Sequence, residues 1–83
     1  MIFVFQVRYN EKTLLMEVYL HQTVVEFKRC VQKFTGLLPS QQRLFYNEML
    51  DGQIIHTQEL RLPNKTLLSL NVNDGDGFEI CKK

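Results

Sequence analysis

The sequence predicts an α+β fold, and three observations carry that prediction. Two runs rich in β-branched and aromatic residues, 2–9 (IFVFQVRY) and 13–20 (TLLMEVYL), are joined by so short a link that they must form an antiparallel hairpin. A single helical pattern follows over 23–35. Further strand-like runs come after it, ending with Phe78-Glu79-Ile80-Cys81.

In the first run Phe3, Phe5 and Val7 share one face, and Val4, Gln6 and Arg8 share the other. Asn10-Glu11 supplies the turn. In the second run Leu14, Met16 and Val18 alternate with Thr13, Leu15 and Glu17. Thr23-Val24-Val25-Glu26 then fits a capping box, in which the Thr23 hydroxyl and the Glu26 carboxylate satisfy each other's backbone N–H groups. Val24, Phe27, Val31 and Phe34 form one apolar stripe at helical spacing. Gly36 suits a helix C-cap, and Pro39 bars continuation. Residues 42–46 (QRLFY) read as a third strand, with Leu44 inward and Arg43 and Phe45 outward. Asp51-Gly52 is a turn signal inside the link 47–64, and Gln53-Ile54-Ile55 reads as a short strand. Pro63-Asn64 marks another turn. Leu67, Leu70 and Val72 suggest one short helical turn, and Asp74-Gly75-Asp76-Gly77 forces a reversal before the last strand. The expected core is Phe5, Val7, Leu14, Met16, Val18, Val24, Phe27, Val31, Leu44, Leu67, Val72, Phe78 and Ile80.

Composition bounds the function. Eighty-three residues make one domain, expected to span 1–83, with a single small core. Hydrophobic residues at 45% and charged residues at 23% belong to a globular chain. A net charge of +1 lacks the basic excess of a nucleic-acid domain. No apolar run reaches the roughly 18 residues that cross a bilayer, and the first residues lack the basic start of a signal peptide. No nucleic acid, membrane or cofactor is expected as a partner. Two cysteines, Cys30 and Cys81, suggest free thiols in a cytosolic or nuclear protein. His21 and His56 carry no catalytic spacing with them, and a domain this small has little room for a buried pocket, so no enzyme is expected. Asn73-Asp74-Gly75-Asp76-Gly77 has a passing likeness to a calcium loop, but the chain stops short of the glutamate such a loop needs.

The order hairpin, capped helix, strand and final strand resembles the β-grasp fold of the ubiquitin-like family. Lys12-Thr13-Leu14 through Glu17-Val18 resembles its second strand, and Thr23, Lys28 and Gly36 fall at its helix start, centre and end. Pro39-Ser40-Gln41-Gln42-Arg43-Leu44 resembles its Pro-x-x-Gln-x-Leu approach to the third strand. Thr66-Leu67, followed by Ser69 through Asp76, resembles its ending before the last strand. The resemblance implies a mixed sheet packed on one helix. A longer link between Tyr46 and Thr66, with an Asp-Gly-Asp approach to the last strand, is similar to the ubiquitin-like domains of tubulin-folding cofactors, cofactor E above all.

What the resemblance implies for function is a monomeric, non-conjugated interaction module whose partners are tubulin or a cofactor complex. Docking to proteasome receptors or a ligase is the alternative. Conjugation would need a flexible Gly-Gly tail, whereas the sequence ends at Lys82-Lys83, so a modifier with its tail trimmed is the third reading. By resemblance the partner-binding positions are Phe45 and Cys81, flanked by Arg43 and Glu79, with Tyr9 standing in for a loop residue. Lys28 matches a buried lysine paired to an aspartate, for which Asp51 is the candidate here.

Overall fold

The computed structural model describes residues 2–83. Strands β1 (Ile2–Tyr9), β2 (Lys12–Tyr19), β3 (Gln42–Leu50), β4 (Gln53–Glu59) and β5 (Gly77–Lys82) form one sheet in the order β2-β1-β5-β3-β4. β1 and β5 run parallel, and every other neighbouring pair is antiparallel. One helix, α1 (Val24–Thr35), covers one face. Among the described residues no helix is long and apolar enough to cross a membrane.

Local chemistry explains each boundary. Asn10 and Glu11 both have positive φ, at 50° and 64°, the backbone that lets a two-residue turn follow the right-handed twist of β1 and β2. Thr23 N–H donates to Glu26 Oε1 at 2.9 Å, and Glu26 N–H donates to Thr23 Oγ1 at 3.3 Å, so the expected capping box is formed. Gly36 at φ 74° ends the helix, its N–H donating to the Gln32 carbonyl.

The core lies between α1 and the sheet. Phe78 is its centre: its ring centroid lies 4.8 Å from that of Phe27, 5.4 Å from Phe5 and 5.5 Å from Tyr46. Most of the expected core is buried, and Leu20, Leu37, Tyr46 and Leu60 join it. Leu14 departs from the expectation. It points to the helix side of the sheet, opposite Val7, yet is 43% exposed. β2 is an edge strand, and burial fades along it from Val18 through Met16 to Leu14, towards the hairpin. Met16 and Val72 are half-buried, and Phe34, in the last helical turn, stays exposed.

The link 47–64 is more ordered than its sequence suggests. β3 runs on to Leu50, Asp51-Gly52 turns with φ of 52° and 77°, and β4 returns to Glu59, with a register shift at Glu48/Met49. Leu60 then plugs the core, and the chain straps the start of α1. Val24 N–H donates to the Lys65 carbonyl and Val25 N–H to the Pro63 carbonyl, satisfying donors that a helix N-terminus leaves free. Leu67–Leu70 forms the expected short turn.

Candidate interaction face

Strand alternation puts the candidate residues on two faces. Arg43 and Phe45 on β3 pair in register with Cys81 and Glu79 on β5, and all four face away from α1. Tyr9 does not join them. It continues the Phe3-Phe5-Val7 alternation and packs against the core on the helix side. With only two residues in the turn, no loop remains to carry it across the sheet edge.

Phe45 is half-buried, and Arg43 accounts for part of its cover. The Arg43 guanidinium carbon lies 5.1 Å from the ring centroid, within cation–π range. Arg43 is held there by Glu59 of β4, donating through Nε at 3.0 Å and a terminal nitrogen at 3.1 Å, a two-pronged ion pair. Arg61 donates to the same carboxylate at 3.0 Å. The hydrogen bonds from Arg43 and then Arg61 hold the Glu59 carboxyl down to about 2. Glu59 and Arg61 were not among the residues expected from sequence. The signal lay in the outward Thr57 and Glu59 of β4, which becomes readable only once β3 and β4 are known to pair.

Beside this cluster, at the helix edge of the sheet, Lys28 and Gln42 clasp each other. Lys28 Nζ donates to the Gln42 carbonyl at 3.0 Å, while Gln42 Nε2 donates to the carbonyls of Lys28 and Leu37. Burial first, then the nearby Lys83 cation, lowers the Lys28 ammonium below its usual range. Asp51 is not its partner. It sits at the tip of the β3–β4 hairpin, roughly 30 Å along the chain from Gln42.

The opposite end of β5 is pinned by Asp76. This buried carboxylate accepts from the Asn73 N–H and the Met49 N–H, each at 3.0 Å, and from the Tyr46 hydroxyl. Burial first, then the Asp76 bond, raises the Tyr46 phenol well above its ordinary range. The Asp-Gly-Asp segment is thus a structural clasp between a turn and β3. Among the described residues no group of three or more His, Cys, Asp or Glu side chains could hold a metal ion.

The arrangement offers a shaped, charged surface with one aromatic anchor. No curated protein sequence matches the chain. The C-terminal ubiquitin-like domain of mouse tubulin-specific chaperone e has a similar fold, with a TM-score of 0.83 at 15% identity, covering 99% of this chain and 87% of that one. A ubiquitin-like domain of an Arabidopsis thaliana protein gives 0.78 at 16% identity, covering 99% and 78%. The UBL domain of Plasmodium falciparum Dsk2 gives 0.71 at 15% identity, covering both chains in full at 100%. The sequence model of the Ubiquitin family matches residues 5–81, nearly the whole chain, and the chain therefore belongs to the ubiquitin family.

Proposed function

We propose that this domain is a non-conjugated interaction module of a tubulin-folding cofactor, and that it grips its partner through Arg43 and Phe45. Ubiquitin-like domains generally work by binding other proteins. The observation that carries the reading is the Arg43 guanidinium stacked over Phe45 and locked by Glu59 on the outer face. An aromatic carrying a preorganised arginine suits an interface anchor, because little side-chain freedom is lost on binding. Cys81 and Glu79 flank it in register. The tubulin assignment is supported by the fold shared with the mouse tubulin-specific chaperone domain, an alignment that covers 99% of this chain and so includes the β3–β4 hairpin.

Titration with the tubulin heterodimer, and separately with proteasome ubiquitin receptors, tests both parts. Phe45→Ala and Arg43→Ala should each weaken tubulin binding by about thirtyfold, the scale of an interface hot spot. Phe45→Ala should cost only about 1 kcal/mol of stability, as for an exposed cross-strand pair. Equal binding by both variants would move the surface elsewhere on the domain. Binding to proteasome receptors alone would replace the tubulin reading with a ubiquitin-pathway one.

A further inference from the structure

A second surface lies at the other end of the outer face and contains neither Arg43 nor Phe45. Gln6, Gly77 and Asn47 form one row across β1, β5 and β3. One pleat further, Val4 on β1 and Met49 on β3 flank the Asn73–Asp76 turn, where β5 has not yet begun. Gly75 and Gly77 put no side chain over this middle track, so a trough opens between two aliphatic walls. Val4 (59% exposed) and Leu15 (66%) form one wall. Met49 and Ile54 (53%), paired across β3 and β4, form the other.

Three features specify what fits. The walls stand on strands two spacings apart, roughly 10 Å, which is about the diameter of an α-helix. The trough lies in mid-sheet between β1 and β3, neither of which is an edge strand that an extended segment could join from outside. Its rim is acidic. Glu17, Asp51 and Asp74 are exposed and make no hydrogen bond or ion pair among the described residues, and Arg8, at the Gly77 end, is the one basic side chain among the described residues that lines the trough. Two copies meeting face to face would oppose like charges, which disfavours self-association.

We infer that this trough docks an amphipathic helix of a partner protein, with an aliphatic stripe flanked by lysine or arginine. The Arg43 end has the opposite character, with Lys28, Arg43, Arg61 and Lys83 around Glu59. The two surfaces therefore select different partner segments.

The test uses the full chain and a fluorescent helical peptide with a leucine stripe flanked by lysines, followed by anisotropy. A twin peptide carries glutamates in place of the lysines. The lysine peptide should bind and the glutamate peptide should not. Val4→Ser and Leu15→Ser, both at exposed sites, should weaken binding by at least about tenfold. The double variant Asp51→Asn, Asp74→Asn should weaken it and reduce its salt dependence, while Arg43→Ala should leave it unchanged. Three results would overturn the inference: equal binding of both peptides, indifference to Val4→Ser and Leu15→Ser, or a concentration-dependent dimer that Leu15→Ser abolishes. Because Arg43→Ala and Leu15→Ser report on different surfaces, failure here leaves the Arg43 reading separately testable.

Discussion

Phe27 shows how much one side chain holds. It is buried from the middle of the helix stripe onto Phe78, whose ring also meets Phe5 and Tyr46. Truncating a buried phenylalanine costs about 3–5 kcal/mol, against the roughly 5–15 kcal/mol that stabilises a small domain. Phe27→Ala should lower the thermal midpoint, followed by circular dichroism, by at least about 12 °C at roughly 4 °C or more per kcal/mol. A shift of only a few degrees would mean that α1 does not cover the sheet as described. The outer face behaves differently, because Phe45 is half-buried beneath its own arginine and supports no second layer. The thiols follow the same division of faces. Cys30 lies on α1 and Cys81 on the outer face of β5, both free, with the sheet between them. A disulfide needs Cα atoms within about 7 Å, so the folded monomer should keep both hydrogens in non-reducing mass spectrometry.

At the scale of elements, β4 is held by its neighbours and not by the core. Every β4 residue except Glu59 is exposed, so the strand depends on pairing with β3, on the Thr57–Asn47 hydrogen bond and on the Glu59 ion pairs. Asp76 anchors the other side, because its carboxylate ties β3 at Met49 to the turn that starts β5. Asp76→Asn replaces one acceptor oxygen with a donor facing donors. Leaving a buried polar group unpaired costs about 1–3 kcal/mol. Chemical denaturation should register that loss. Amide exchange should show it first at Met49 and Asn73, and uniform loss of protection across the sheet would argue against a local clasp.

For the whole molecule, charge makes the pH profile two-sided. Glu59 is held down to about 2 from an ordinary 4.5 by Arg43 and Arg61. Its contribution is complete above about pH 4.5 and disappears as pH falls through about 2, because the unfolded chain takes up the proton first. Tyr46 works in the other direction. Its phenol is raised above its ordinary 10.0 by burial and by Asp76, so its contribution is complete below about pH 10 and is lost as pH rises beyond it. Denaturation midpoints measured across pH should show both limbs. Glu59→Gln should flatten the acid limb and Tyr46→Phe the alkaline one. An unchanged acid limb in Glu59→Gln would show that the exposed ion triad adds nothing to stability, as is common for surface pairs.

The chain's local chemistry settled its elements. Alternation in β1, β2 and β5, the Thr23–Glu26 capping box, Gly36 and the turn residues follow from contacts a few residues long, so one sequence suffices to read them. Outward placement of Arg43, Phe45, Glu79 and Cys81 follows from the same period of two. Tertiary structure decided what depends on neighbours remote in sequence. Leu14 has the right face but lies towards the uncovered end of an edge strand, and no local pattern records where a helix stops covering a sheet. The partner of Lys28 is a backbone carbonyl, which side-chain identities do not reveal. β4 is exposed, and beyond Gln53-Ile54-Ile55 its residues His56 to Glu59 are polar or charged, so its composition announces the start of the strand and not its length. Its pairing with β3 brings Glu59 to Arg43, turns an isolated arginine into a preorganised one, and raises the wall of the trough that faces Val4 and Leu15 across two glycines.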